Sequence, residues 1–503
     1  MRILLLNRAS REQVDASRER YFIRAGSRWP WSYIRNKNHH KFDIFPFPFY
    51  IAYCAADLRR RGHEVFVHDG VALNSTDTDL MDIITHLSPD LICLEGTSHA
   101  YTDDMSFLSS LRNLRLKIVV TGPHATISAK EILNKNPFVD YVVKGEYELS
   151  IASLIDAIEN ESVLRLVPGI AYRDTLGNIF ESDKNAYIED IDELPRPAFE
   201  DFPETKKTNM AVYGDGINTY RPAVTLHSTR GCPFRCDFCL WIQVMYGNNK
   251  YRKFKIDRVV DEMEYVIHNF GAKEIYFDDD DFCIDKKNIQ NLCNEIISRK
   301  LRIKWSCMGD AMSCDEDTIK IMAKAGCIFM KFGVESGSKE ILKEIGKPLD
   351  PEKAVAVANW CRKYGIMTHA TFMFGLSNDT KETMQLTLEL AKRVKFDYAQ
   401  ASIATPFPGT RMHSKLSAST NIGASDSKDF DGTRISTVGN QNLSSEEIVE
   451  FRKYAIKQMV YSRLKEWGWW KNYLRRNCTL VWSYGIGHSL RPLYAFIYLF
   501  RKT

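Results

Sequence analysis

Over the first 160 or so residues, short apolar runs alternate with amphipathic stretches. The runs fall at 3–6, 65–68, 91–94, 118–121 and 141–143, and helical spacing of apolar positions recurs at about 49–61, 78–87, 102–113 and 127–134. The string reads βαβαβαβαβ, which predicts a doubly wound, Rossmann-like parallel sheet over residues 1–165. A ligand of such a sheet sits beyond the carboxyl ends of its strands.

The pattern then loosens. Residues 166–222 read as a linker, with Pro195-Arg196-Pro197 behind an acidic stretch and a small hairpin around a Gly177-Asn178 turn. A second α/β series follows, with strand candidates at 224–227, 274–277, 303–307, 328–332, 367–374 and 398–403. Six such units predict a partial, TIM-like β/α barrel over 223–410, its reactive face at the carboxyl ends of the strands. Residues 411–443 are rich in Ser, Asn, Asp and Gly and read as a loop. A helical region, 444–503, opens on a capping box formed by Ser444 and Glu447.

That last region is aromatic and basic: Trp467, Trp469, Trp470, Tyr473, Trp482, Tyr484, Tyr494, Phe496, Tyr498 and Phe500 are interspersed with Arg475, Arg476, Arg491, Arg501 and Lys502. His488, Arg491 and Pro492 interrupt any run of the ~20 apolar residues that a spanning helix needs. Two readings stand side by side: an interfacial helix in peripheral contact with a membrane, and an aromatic helix packed on the barrel.

Composition narrows the class. With 503 residues, 44% hydrophobic and 26% charged, the chain can bury more than one core. A formal net charge of +4 spread over this length provides no basic stripe, so no nucleic-acid partner is expected. The start of the chain lacks a small-residue cleavage pattern and reads as a buried strand, which points to a cytoplasmic protein. Its twelve cysteines are then thiols or metal ligands rather than a disulfide framework.

Two sets of residues carry candidate chemistry. At the carboxyl ends of the first series stand Gly96 and Thr97, then Gly122, His124 and Thr126, then Gly145 and Glu146. Glycine and small polar side chains let a large flat or phosphorylated cofactor approach the backbone, although ordinary turns of an open sheet have the same composition. The second set is Ser228-Thr229-Arg230-Gly231-Cys232-Pro233-Phe234-Arg235-Cys236-Asp237-Phe238-Cys239, directly after a strand. Three thiolates within eight residues can bind three irons of a cubane and leave the fourth iron without a protein ligand. A zinc site would need a fourth ligand at other spacings, and a pure electron-transfer cluster a fourth cysteine in a recognisable place.

The Cys-x-x-x-Cys-x-Phe-Cys segment resembles the signature of the radical S-adenosylmethionine (SAM) superfamily. The resemblance implies a 4Fe-4S cluster on Cys232, Cys236 and Cys239 that cleaves SAM to a 5′-deoxyadenosyl radical. It places Phe238 by the adenine, Asp278, Asp279 and Asp280 where the family has its SAM-amine stretch, and Glu335 near the ribose. The N-terminal unit resembles the cobalamin-binding domain that precedes many such barrels, which implies cobalamin contacts at Gly96, Thr97, Gly122, His124, Thr126, Gly145 and Glu146. The Asp-x-His-x-x-Gly motif that supplies cobalt with a histidine is absent. Cys239-Leu240-Trp241 followed by Tyr251-Arg252 resembles the hopanoid-associated radical SAM proteins and their relatives, and the chain as a whole resembles the class B radical SAM methyltransferases too.

The activity this implies is methylation of an unactivated carbon in a small-molecule or lipid-like substrate, with electrons from a flavodoxin or ferredoxin. Radical cyclisation or rearrangement without methyl transfer is the alternative, and a non-catalytic iron-sulfur redox or interaction protein a third reading.

Overall fold

In the computed structural model, residues 1–23, 31–37, 45–202, 210, 212–419, 439–466, 469–474, 476 and 478 are described. The chain forms two compact units. One gathers Met1–Tyr213, Asp237–Arg252 and Thr405–Thr437, the other Gly214–Cys236, Lys253–Ala404 and Val438–Thr503.

The first unit is built on a seven-stranded sheet. From edge to edge its strands are Ile179–Glu181, Ile170–Arg173, Tyr141–Val143, Lys117–Thr121, Leu91–Glu95, Arg2–Asn7 and Glu64–Asp69. The five strands of the βα series are parallel. Strands covered by helices on both faces read as continuous apolar runs, and Leu4, Leu5 and Leu6 are accordingly all buried. Strand order reverses between Arg2–Asn7 and Leu91–Glu95, which opens a crevice at the carboxyl ends of these two strands.

Within residues 1–213, two features depart from the sequence reading. The hairpin of the supposed linker belongs to this sheet: Ile170 and Ala171 pair antiparallel with Val143 and Val142, and both are wholly buried. A bare edge would expose unpaired backbone groups, and the hairpin covers it. Residues 10–36 hold a three-stranded antiparallel sheet that the apolar pattern does not announce, made of Ser10–Gln13, Arg18–Ile23 and Trp31–Asn36. Charged residues are part of its buried side, with Arg35 ion-paired to Glu19 at 2.8 Å and lying 3.6 Å from the Tyr21 ring centre.

The second unit has six parallel strands whose spatial order follows the chain: Ala223–Leu226, Glu274–Phe277, Lys304–Asp310, Cys327–Glu335, Met367–Phe374 and Tyr398–Ile403. This is the open arrangement of a partial barrel. Side chains alternate between its two faces, so Met330, Phe332 and Val334 are wholly buried while Lys331 and Gly333 lie on the opposite, partly open face. Helix Ser445–Leu464 starts on the expected capping box of Ser444 and Glu447.

The expected loop at 411–443 begins instead as a helix, Arg411–Ser419; Met412 and Leu416, four apart, bury one face of it. Residues 420–438 lie outside the described residues, as do Trp467, Arg475 and the tail from 479 onward. The described part of the tail packs on the second unit: Trp469 stacks on Tyr473 and donates to Asp397 O at 2.8 Å. No helix among the described residues is long and apolar enough to cross a membrane.

Candidate active site

The carboxyl ends of the first sheet bring together most of the residues singled out above. Gly122 has φ +95°, and a Cβ there would stand 2.7 Å from Gly96 O, so glycine lets these two loops touch. His124 follows at the start of helix Pro123–Lys135. Its Nδ1 lies 3.1 Å from Ser98 Oγ and its ring packs against Tyr101. Burial pulls its pKa down to about 4, so the imidazole is neutral at physiological pH. Thr126 fastens the loops, donating to Gly122 O at 2.8 Å and accepting from Gly145 N at 2.9 Å.

Thr97, beside the point where strand order reverses, is 1% exposed, and its Oγ1 has no hydrogen-bond partner among the described residues. An orphaned buried hydroxyl is costly unless a ligand satisfies it. The crevice therefore fits a bound polar cofactor.

Gly145 and Glu146 serve the protein itself. A Cβ on Gly145 would meet Ala186 O at 2.4 Å, because the two residues form a bridge. The Glu146 carboxylate receives both Arg252 nitrogens, at 2.6 and 3.0 Å, and the Ile188 N–H at 2.9 Å.

In the second unit the cysteine loop hangs on the carboxyl end of Glu274–Phe277. Asp279 is buried, and its carboxylate accepts from Ser228 N at 2.7 Å, from Thr229 Oγ1 at 3.0 Å and from the Ser228 hydroxyl. Burial raises its pKa to about 6 despite these donors. Asp280 accepts from the N–H of Gly231, the residue before Cys232, at 2.7 Å. Asp278 is half-buried, and its own N–H continues the strand ladder to Leu226 O. Asp279 and Asp280 thus fix the backbone that presents the thiols, a role the spacing alone did not reveal.

Cys232, Cys236 and Cys239 are half-buried. Among the described residues no three His, Cys, Asp or Glu could hold a single ion together, whereas a cubane offers each cysteine its own iron. Gly346 lets a turn press against this loop: its φ is +75°, a Cβ would stand 2.3 Å from Arg235 O, and its carbonyl lies 4.0 Å from Cys236 Sγ. The next residue, Lys347, was not foreseen. Its ammonium lies 3.1 Å from Glu335 Oε1; burial works to lower its pKa, but the charges of Glu335 and Cys236 outweigh burial and raise it. Glu335 sits at a bulge with φ +65°, unusual for a residue with a side chain. The space for the pair is provided by Gly333, where a Cβ would meet Glu335 Oε1 at 2.1 Å. A lysine in a Gly-Lys-Pro turn has no periodicity to mark it in the sequence.

From Asp237 to Arg252 the chain belongs to the first unit. Phe238 is 4% exposed. Asp237 is anchored by Lys415, 2.8 Å away, and the π-helix Trp241–Tyr246 by a 2.8 Å bond from Trp241 Nε1 to Tyr50 Oη. π-Helices are rare and often lie near functional sites.

Residues 226–391 match the radical SAM superfamily and residues 42–155 match the B12 binding domain. An uncharacterized methyltransferase of Pyrococcus horikoshii is 31% identical over 367 residues, which cover 73% of this chain and 77% of that one. The anaerobic magnesium-protoporphyrin IX monomethyl ester cyclase of Rubrivivax gelatinosus is 26% identical over 378 residues, 73% of this chain and 66% of that one. In fold, the chain is similar to the radical SAM methyltransferase TsrM of Kitasatospora setae, solved with cobalamin and a [4Fe-4S] cluster, with a TM-score of 0.60, 19% identity and coverage of 76% of each chain. The chain belongs to the radical SAM superfamily, in the group of enzymes that join a B12-binding domain to the radical SAM domain.

Proposed function

We propose that this enzyme transfers a methyl group to an unactivated carbon of a small or lipid-like molecule, using a 4Fe-4S cluster, SAM and cobalamin. The observation that carries the reading is the cysteine loop: three half-buried thiols on a backbone fixed by Asp279 and Asp280, at the carboxyl end of a parallel sheet. When bound, the cluster supplies the electron that breaks the SAM sulfonium bond, and cobalamin carries the methyl group.

The chain's own residues divide the remaining work. Cys232, Cys236 and Cys239 would hold the cluster through their three thiolates. Glu335 and Lys347 hold the ribose and carboxylate side of SAM, Asp278 and Asp280 its amine, and Phe238 its adenine. Gly96, Thr97, Gly122, His124 and Thr126 cradle cobalamin, with the Thr97 hydroxyl donating to it. A small electron-transfer protein of the flavodoxin or ferredoxin type completes turnover.

The likeness to a cyclase supports a second reading, radical ring formation without methyl transfer. The products separate the two, because methylation releases S-adenosylhomocysteine beside 5′-deoxyadenosine. Protein purified anaerobically with cobalamin supplied is expected to hold about four irons per chain and bound corrinoid, and to form both products. Iron without corrinoid, and 5′-deoxyadenosine alone, would move the assignment to the cyclase reading; no iron after reconstitution would end both.

A further inference from the structure

We infer that the inner face of the second unit's sheet carries a receptor for an oxyanion of the substrate, a carboxylate or phosphate, formed by Lys331 and His369 and backed by Arg476. Lys331 and His369 are register partners on adjacent parallel strands and project on the same side. That side also carries Gly333, above which Glu335 and Lys347 pair. Two residues of strand put Lys331 roughly 7 Å below Gly333.

The donor count points to a missing acceptor. A lysine ammonium has three N–H donors. Among the described residues Lys331 spends one, on Asp215 at 3.2 Å. Nε2 of His369 is buried and has no partner among the described residues.

Arg476 adds further donors from below. Arg476 is 8% exposed and donates to the carbonyls of Gly216 and Asn218 at 2.9 and 3.4 Å. It lies over Tyr398, 4.7 Å from the ring centre, and has no carboxylate partner among the described residues. His369 is neutral, its pKa held down to about 3 by burial and by Lys331, with Arg476 acting in the same direction and Asp215 opposing. Lys331 and Arg476 thus both act on His369, on an inner face that also carries the carboxylates of Asp310, register partner of Gly333, and of Glu274, which accepts from Asn218 Nδ2 at 2.8 Å. Spare N–H donors gathered in one place suit an oxyanion in particular.

This inference rests on the proposed function only in taking the oxyanion to be part of the substrate. Its test is titration of the full chain, purified anaerobically with its cluster, with inorganic phosphate and separately with acetate, at constant ionic strength set by chloride, read by calorimetry. Saturable one-site binding of either is expected. Lys331→Met should weaken it by roughly tenfold or more, and Asp215→Asn, which removes the competing carboxylate, should tighten it severalfold. A tie that only closes the barrel would not give these opposite signs. If Lys331→Met does not fold, Asp215→Asn still carries the test. Phosphate bound without acetate assigns a phosphorylated substrate, and acetate without phosphate a carboxylic acid. No saturable binding by the wild type, or Asp215→Asn no tighter than wild type, overturns the proposal. SAM cleavage by the same wild-type preparation reports on the radical reading alone.

Discussion

The loop at 228–239 and the interior of the second unit both hold cysteines, in opposite settings. On the loop, Cys232, Cys236 and Cys239 are half-buried and follow a glycine with φ +87°. Inside, Cys283, Cys307, Cys314, Cys327 and Cys361 are buried, and burial with neighbouring thiols pushes Cys283, Cys307 and Cys361 well above the usual thiol range. A thiol held neutral is a small apolar side chain, whereas a metal ligand must become a thiolate. The number of cysteines in the unit therefore says little, and their backbone and access decide their chemistry.

Exchanging one member of each set gives the largest contrast. Cys236→Ala should take iron from about four per chain to below one and abolish SAM cleavage, with little change in the unfolding midpoint; retained cleavage would end the assignment of the loop. Asp279 allows a finer test. Its pKa in the folded protein, about 6, lies above the ordinary aspartate value of 3.8. Its protonated form therefore favours the fold below pH 4, and that contribution is lost as pH rises through 6. Relative to Asp279→Asn, wild type should lose roughly 2 kcal/mol across this window in denaturant titrations. A parallel pair of curves would show that Asp279 titrates as it does in the unfolded chain. Cys307→Ser should cost about 1–2 kcal/mol through a buried hydroxyl and leave iron content unchanged. A fall in iron would make Cys307 a ligand and erase the comparison. Smallest of all, Cys478→Ala, at an exposed position, should change neither iron nor stability beyond about 0.5 kcal/mol.

The sequence was most legible where burial follows a regular period. The parallel strands of both units lie within a few residues of the apolar runs, because a strand covered on both faces has few polar positions. Arg18–Ile23 and Trp31–Asn36 escaped notice because Glu19 and Arg35 satisfy each other inside the sheet and so break the pattern. The hairpin at 170–181 was visible as a hairpin, but its partner was not, since pairing with Val142 and Val143 is a long-range choice. At the site, the cysteines were announced by spacing. Lys347 and the support given by Asp279 and Asp280 depend on loops meeting in space, which no local pattern encodes.

The order in which the chain contributes to each unit bears on how it is made. Helix Arg411–Ser419 and the segment Asp237–Arg252 both belong to the first unit, yet nearly the whole second sheet is synthesised between them. At about 5–20 residues per second, the ribosome takes on the order of 10 to 30 s to pass from one to the other. During that interval Ile127, Leu240 and Val244 wait for Phe407, with which they form a cluster in the finished protein. A nascent chain with apolar surface open for that long is a natural client for a holding chaperone, and a ribosome stalled before codon 407 would release a polypeptide with this cluster incomplete.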